Sequence, residues 1–398
     1  MRETKKIKQA VILAGGLGSR LLPFTQKKPK PMYEFEGVPF LGHLLKQVRA
    51  FGIKEVLLLV GYLPEVIEAY VGDGSCFDQK IVIDKTPVDY DTGARLWHAK
   101  HLLHEDFLLL YCDNYCPIDF EKAQRAYLSG NACAQITAYT NRDNYTTNNL
   151  NADENGIVTV YDKSRKTHGL NFVDIGYVFL NKKVLSLINN ENINFEACVY
   201  PILVKERKLG IFPVEHRYYS IGSWERIELT KEFFRPKKVA FLDRDGTLNV
   251  KPEPARYITS PKQFVWLEGA KEAVHLLREH GYMLILITNQ PGIARGFLTN
   301  AELHSIHEKM QKDLELTGDR LDAIYVCPHG WNEGCSCRKP APGMLFQAQK
   351  DFSLNLSETI LFGDDERDIA AGRAAGCAEV MQVTKEKTLY DLVRSYLS

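Results

Sequence analysis

The chain has 398 residues, of which 45% are hydrophobic, 11% aromatic and 25% charged, a globular composition that excludes a disordered tail or a fibrous repeat. Its 50 Lys plus Arg balance 50 Asp plus Glu, so no overall field draws it to nucleic acid or an anionic membrane, and any phosphate recognition must be local. The length fits two domains, each large enough to bury its own core.

Residues 1–9 are polar and basic without the apolar segment of a secretory leader, and no apolar run approaches the ~18 residues of a membrane span. Nine cysteines are too few for a disulfide scaffold, which points to a reducing, cytoplasmic setting. In chain order, short apolar runs predict strands at 10–13, 56–60, 107–111, 134–138 and 173–180, with amphipathic helices at 41–51, 63–70 and 94–103. At 233–238 the sequence FFRPKK ends an amphipathic run in a proline and a basic cluster just before a fresh apolar strand, so a second domain starts there. Strands follow at 239–242, 283–287, 323–326 and 359–362, with helices at 270–280 and 301–316. The class is α/β, the expected domains are 1–234 and 235–398, and each should carry a site at the carboxyl ends of its strands.

The first strand runs into Ala14-Gly15-Gly16-Leu17-Gly18-Ser19-Arg20-Leu21, and Pro29-Lys30-Pro31-Met32 follows. Gly15, Gly16 and Gly18 permit positive φ and a close approach of backbone N–H groups to an anion, although a plain strand-to-helix turn uses the same residues. Arg20 and Lys30 favour the phosphate cradle, because they are fixed cations able to face a triphosphate from two sides. The pattern L-A-G-G-x-G-[ST]-R-L-x-P-x-T followed by P-K-P-M resembles the signature of the sugar-phosphate nucleotidylyltransferases, over roughly residues 8–234.

That resemblance implies a Rossmann-like domain with a mixed sheet, in which a sugar 1-phosphate attacks the α-phosphorus of a nucleoside triphosphate and pyrophosphate leaves. Arg20 and Lys30 would neutralise the charge that builds up, and Gly15, Gly16, Gly18 and Ser19 would hold the nucleotide. It also implies a Mg²⁺-binding role for Asp113 in Cys112-Asp113-Asn114, where an isolated Asp would otherwise be a helix-capping turn residue. Thr92 and Gly93 would lie over base and sugar, Lys163 would meet the sugar phosphate, and Asp174 would line the sugar pocket. The family's second metal-binding Asp falls in a D-x-G-[ST]-P-E segment, and this chain reads Ser220-Ile221-Gly222-Ser223-Trp224-Glu225 there. Either another acid such as Asp174 completes the site, or Asp113 and substrate phosphates hold the metal, or the domain only senses a nucleotide sugar.

The strand at 239–242 ends in Asp243-Arg244-Asp245-Gly246-Thr247, two carboxylates two residues apart at a buried strand end. One oxygen nucleophile, Asp243, and one acid/base, Asp245, are thereby placed together while Gly246 lets the chain turn away. Thr288-Asn289-Gln290, Arg338-Lys339-Pro340 and Gly363-Asp364-Asp365 with Asp368 follow in order. This ordered set resembles the haloacid-dehalogenase-like (HAD) phosphatases from residue 238 onward. It implies a doubly wound parallel sheet and an aspartyl-phosphate intermediate, with Thr288 and Lys339 on the phosphoryl oxygens. Asp243, Asp364 and the Asp245 carbonyl would surround Mg²⁺.

Cys327, His329, Cys335 and Cys337 supply three thiolates and one imidazole within eleven residues, a closed tetrahedral set for structural zinc in the loop that ends at Arg338-Lys339. This insert is similar to that of the heptose-bisphosphate and histidinol-phosphate branch of the HAD family. Thr288-Asn289-Gln290-Pro291-Gly292-Ile293-Ala294-Arg295, with Arg295 available to a second phosphate, looks more like the heptose enzymes. A phosphatase fused to a nucleotidylyltransferase makes chemical sense if removal of the 7-phosphate of a heptose 1,7-bisphosphate yields the heptose 1-phosphate that the other domain activates, with GTP the expected donor. The expected partners are therefore small molecules, with neither nucleic acid nor membrane, and the oligomeric state is left open. His98, His101 and His104 are expected on a solvated helix surface without an acid partner in register. Cys76, Cys112, Cys116, Cys133, Cys198 and Cys377 are expected as ordinary buried or half-buried thiols.

Overall fold

A computed structural model describes residues 6–188 and 191–398. Residues 1–5, part of the polar stretch 1–9, lie outside the described residues. The chain divides into two compact units, Met1–Arg235 and Pro236–Ser398.

In the first unit, seven strands form one sheet: β1 (Gln9–Ala14), β2 (Glu55–Val60), β3 (Lys80–Lys85), β4 (Asp106–Tyr111), β5 (Ala134–Tyr139), β6 (Val173–Asn181) and β7 (Leu209–Val214). Their order is β7-β5-β6-β4-β1-β2-β3, and β6 alone runs antiparallel to its neighbours, so the sheet is mixed. Period-2 alternation splits β1 and β2 between two cores: Ala10, Ile12, Val56 and Leu58 face one side, Val11, Leu13, Leu57 and Leu59 the other. Helices α1 (Phe40–Ala50) and α2 (Pro64–Val71) cover the first face. Helix α3 (Thr92–His98) covers the second, with α4 (Phe120–Ser129), α5 (Phe195–Lys205) and α6 (Trp224–Phe234) completing the unit. The chain order reverses between β1 and β4, which opens a crevice at their carboxyl ends.

The second unit carries a five-stranded, wholly parallel sheet of β8 (Val239–Leu242), β9 (Met283–Asn289), β10 (Ala323–Cys327), β11 (Thr359–Gly363) and β12 (Glu379–Gln382), in the order β10-β9-β8-β11-β12. Strand β8 is central and buried along its whole length, as a strand covered on both faces must be. Helices α7 (Ala270–Glu279), α8 (Asn300–Glu315) and α11 (Leu389–Leu397) pack on one face. Helices α9 (Gly343–Phe352) and α10 (Glu366–Ala375) pack on the other.

Three expectations change. The helix expected at 94–103 ends at His98 and continues only as a single tight turn over Ala99–His101. His98 is not without an acid: its Nδ1 lies 2.8 Å from Asp84 Oδ2 on β3, a partner that helix register cannot reveal. Cys76 and Cys198 are exposed rather than buried.

Candidate functional site

The first crevice is a cavity of about 200 Å³ lined among others by Gly15, Gly16, Gly18, Lys30, Thr92, Arg95, Tyr111 and Asp113. Of the three loop glycines only Gly18 uses positive φ, at 65°, and a Cβ there would stand 3.0 Å from Lys30 Cβ. Gly15 is needed for a different reason, since a Cβ would fall 2.3 Å from the Arg95 guanidinium carbon. Gly16 faces open space, as a residue meant to meet a ligand would.

Lys30 and Asp113 meet across the crevice, Nζ to Oδ2 at 2.7 Å. Burial alone would push both groups towards neutrality, but each holds the other charged: Asp113 stays below the usual carboxylate range and Lys30 above the usual lysine range. Burial lifts the neighbouring Cys112 thiol to about 12. Ser220 pairs with Asn114 in a short antiparallel ladder, and Ile221 donates its N–H to the Asp113 carbonyl at 3.0 Å, so a neutral hydroxyl lies one residue across from the metal-binding candidate.

Ser19, Arg20, Gly93, Lys163 and Asp174 do not line this cavity. Gly93 packs against α5's approach, where a Cβ would meet the Ile193 carbonyl at 2.7 Å, and Thr92 Oγ1 accepts from the Phe195 N–H at 2.8 Å. Lys163 pairs with Glu196 at 2.8 Å. Asp174 accepts from the Tyr161 hydroxyl at 3.1 Å and the Gly176 N–H at 2.8 Å. Burial, reinforced by Glu196, pushes the Asp174 carboxyl up to about 7. Tyr111, whose buried hydroxyl has no partner among the described residues, both lines the cavity and feels this acidic group.

In the second unit the carboxyl ends of β8, β9 and β11 deliver Asp243, Thr288 and Asp364 to a second cavity of about 220 Å³, also lined by Asp245, Asn289, Gln290, Arg338 and Lys339. Lys339 Nζ is buried between Asp243 Oδ1 at 2.5 Å and Asp368 Oδ1 at 2.6 Å, and donates to the Ile287 carbonyl at 2.8 Å. Burial pushes the Asp243 carboxyl up to about 7, against the pull of Lys339. Asn289 holds Lys339 by its backbone, accepting from its N–H and donating to its carbonyl, both at 3.1 Å. Gln290 donates to Asp245 Oδ2 and to Thr288 Oγ1, both at 2.9 Å. Gly246, at φ 96°, leaves room for Asp364, whose Oδ2 would lie 2.3 Å from a Cβ.

Candidate ligand atoms of Asp243, Asp364 and Asp368 lie within 4.8 Å of one another, and Asp364 Oδ1 is buried without a hydrogen-bond partner among the described residues. Such an orphaned acceptor beside other carboxylates fits a hard divalent cation. Arg295 does not line this cavity but donates to the hydroxyl of Tyr257, which does, at 2.8 Å, while Arg338 donates to the His329 carbonyl at 3.2 Å. Asp368, named in the sequence as the last member of the ordered acidic set, is also the capping-box partner of Asp365 at the start of α10. The sequence gives no local sign of the role of Arg244, a fully buried cation that grips Asp245 Oδ2 at 2.9 Å with His307 behind it at 3.3 Å.

Cys327, His329, Cys335 and Cys337 converge. Neighbouring donors are 3.6 Å (Cys327 to His329), 3.7 Å (Cys327 to Cys335), 3.3 Å (Cys337 to His329) and 3.5 Å (Cys337 to Cys335) apart. A tetrahedral ion with thiolates at ~2.3 Å and imidazole at ~2.0 Å separates its ligands by ~3.5–3.8 Å, so the set could hold zinc. All three cysteines are free.

Two α/β units, each with cations and carboxylates gathered at a sheet's carboxyl edge, define an enzyme that handles phosphate esters twice. Residues 9–209 match the family model described as Nucleotidyl transferase, and residues 336–394 match that described as HAD-hydrolase-like. A D-glycero-β-D-manno-heptose-1,7-bisphosphate 7-phosphatase of Bordetella bronchiseptica is 39% identical over 141 residues, spanning 35% of this chain and 78% of that protein. The corresponding α-heptose phosphatase of Campylobacter jejuni is 35% identical over 159 residues, 40% of this chain and 90% of that protein. The solved structure of a candidate glucose-1-phosphate thymidylyltransferase from Bacillus anthracis superposes with a TM-score of 0.51 at 16% identity, over 57% of this chain and 95% of that one, a likeness of fold. The chain belongs to the nucleotidyl transferase family and also to the HAD-like family of these phosphatases, and is a bifunctional transferase and phosphatase. Among the described residues no helix is long and apolar enough to cross a membrane.

Proposed function

We propose that residues 235–398 remove the 7-phosphate of D-glycero-D-manno-heptose 1,7-bisphosphate and that residues 1–234 then transfer a nucleotidyl group, GMP from GTP, to the resulting heptose 1-phosphate. The observation that carries this reading is the buried Asp243–Lys339–Asp368 cluster facing Thr288 and Asp245, on the same chain as the Lys30–Asp113 crevice. The substrate follows from the phosphatase relatives, which include both anomeric types. A phosphatase that leaves an anomeric phosphate produces what a nucleotidylyltransferase consumes.

In the second unit Asp243 attacks phosphorus, and Asp245 gives a proton to the leaving sugar oxygen and later takes one from the hydrolytic water. Thr288 and Lys339 hold the phosphoryl oxygens, with Asn289 and Gln290 fixing both groups, Arg338 on the cavity wall would meet a distal phosphate, and Arg295 would reach it from beside Tyr257. Asp243, Asp364 and the Asp245 carbonyl would hold Mg²⁺, which when bound offsets charge on the phosphoryl group. Zinc in the Cys₃His set would keep the loop ending in Arg338 and Lys339 in place. In the first unit Gly15, Gly16, Gly18 and Ser19 receive the triphosphate, Arg20 and Lys30 neutralise it, and Asp113 would hold the magnesium of the nucleotide. Thr92 and Gly93 shape the base side by packing, and Lys163 and Asp174 meet the sugar phosphate and sugar. Both reactions belong in the cytoplasm, where their small-molecule substrates are.

A second reading, a phosphatase whose first unit only senses a nucleotide sugar, is favoured by Ser220 standing where a second metal carboxylate is expected. Phosphorus NMR of the protein with Mg²⁺, heptose 1,7-bisphosphate and each nucleoside triphosphate in turn separates them. Inorganic phosphate followed by pyrophosphate and a nucleoside diphosphate sugar is the expected result. Phosphate alone, with tight nucleotide binding, would leave the sensing role.

A further inference from the structure

Arg95, on α3, is 3% exposed and lines the first crevice, yet among the described residues its guanidinium has no carboxylate at ion-pair distance. Its donors go to neutral acceptors drawn from three separate segments. Nη2 donates to the Gly15 carbonyl and the Val88 carbonyl, both at 3.2 Å, and Nη1 donates to the Val60 carbonyl at 3.1 Å and to Thr86 Oγ1. Two glycines exist around it: a Cβ on Gly15 would fall 2.3 Å from the guanidinium carbon, and one on Gly61 would fall 2.5 Å from Nη1. One buried side chain therefore ties the glycine loop after β1, which lines the cavity, to the end of β2 and to the segment 86–88 that leads into the lining residues Tyr90, Asp91 and Thr92.

Burying an unpaired cation is costly unless something of opposite charge completes it. Asp84, Asp89 and Asp91 act on Arg95 only through space. Lys30 lines the same cavity, along with the carboxylates of Asp91 and Asp113, the second of which pairs with Lys30. We propose that Arg95 is the positioning residue for the nucleotide: it fixes the glycine loop against the base-side segment, and its charge is completed by the bound triphosphate. This inference rests on the nucleotidyl-transfer reading of the first unit. Neither the sugar phosphate nor the second unit depends on it.

The test uses the full chain. Titration calorimetry with Mg²⁺ and each of the four ribonucleoside triphosphates, without sugar phosphate, measures affinity in wild type, Arg95→Met and Arg95→Lys. Steady-state KM values are then taken for nucleotide and for heptose 1-phosphate. Arg95→Met should weaken nucleotide binding by about 10–100-fold while the KM for heptose 1-phosphate moves less than about 3-fold, and Arg95→Lys should recover part of the loss by keeping the charge without the fork. Gly15→Ala alone should weaken binding comparably, because its methyl collides with the guanidinium. Gly15→Ala combined with Arg95→Ala should be no worse than Arg95→Ala, since the collision is gone. Phosphate release from heptose 1,7-bisphosphate should stay at wild-type level in every variant.

Should Arg95→Met fail to fold, as judged by circular dichroism, the Arg95→Lys affinity and the Gly15 cycle decide. Unchanged affinity in Arg95→Lys and Arg95→Met, equal losses for both substrates, or additive losses in the Gly15 cycle would overturn the inference. A wild type that binds no nucleotide defeats the nucleotidyl-transfer reading instead, so the two failures are distinct.

Discussion

Lys339 serves two buried carboxylates at once, Asp243 at 2.5 Å and Asp368 at 2.6 Å, and that sharing holds the proposed nucleophile, Asp243, still. The same crowding constrains Gly246. Replacing it by alanine forces a methyl onto Asp364 and a side chain into a φ of 96°, so Gly246→Ala should lower phosphate release at least roughly 10-fold and stability by ~1–3 kcal/mol, read from initial rates and urea titration. In the first unit Asp174 is buried and its carboxyl sits at about 7 when folded, against 3.8 for the free group. The folded state therefore takes up a proton that the unfolded chain has already released between about pH 4 and pH 7, and stability declines as pH rises through that window. Asp174→Asn should flatten this decline, which denaturant midpoints at pH 4.5 and pH 7 would reveal. Contiguous chemistry of this kind is legible: D-x-D-G-T and the cysteine cluster name their residues outright. Arg95 is not, because it acquires its importance only where Gly15 and Gly61 leave it space.

At the scale of elements, what could be read followed burial. Strands β1, β2, β4, β8 and β9 lie inside their sheets, are covered on both faces, and appear in sequence as unbroken apolar runs. The strands without an expectation, β3, β7 and β12, are sheet edges: KIVIDK begins and ends in lysine and carries Asp84, LGIFPV carries Pro213, and EVMQ is half exposed. The loop of Cys327, His329, Cys335 and Cys337 is legible both as a donor set and as the segment that ends in Arg338 and Lys339, and the fold adds where it leads. It leads into α9 through a Gly343 N–H that donates to the Ser336 carbonyl at 3.0 Å, and it carries Arg338 and Lys339 to the cavity wall. Cys335→Ser should release about one zinc per chain, measured by atomic emission, and lower phosphate release by roughly 10–100-fold, with nucleotidyl transfer unchanged. Full phosphatase activity in a zinc-free Cys335→Ser protein would show that the loop holds itself.

For the whole molecule, two units with separate cores and separate cavities imply two chemistries that fail independently. Asp243→Asn replaces the carboxylate proposed to attack with a non-nucleophilic amide of the same shape and leaves the packing of β8 intact. It should cut phosphate release by roughly 10³-fold or more and spare transfer to supplied heptose 1-phosphate. Arg20→Ala removes an exposed cation beside the glycine loop and should do the reverse, lowering pyrophosphate formation by about 10–100-fold with phosphate release unchanged. The decisive measurement is a mixture. With heptose 1,7-bisphosphate as the only sugar, Asp243→Asn alone should form almost no nucleoside diphosphate sugar and Arg20→Ala alone only at its slow residual rate, whereas the two together should form it faster than either, since the Arg20→Ala protein releases the heptose 1-phosphate that the Asp243→Asn protein can use. Restoration to the rate expected for free diffusion would establish two autonomous centres joined by a shared intermediate. Failure of the mixture, with each single activity intact, would mean that the intermediate does not leave the chain on which it is made.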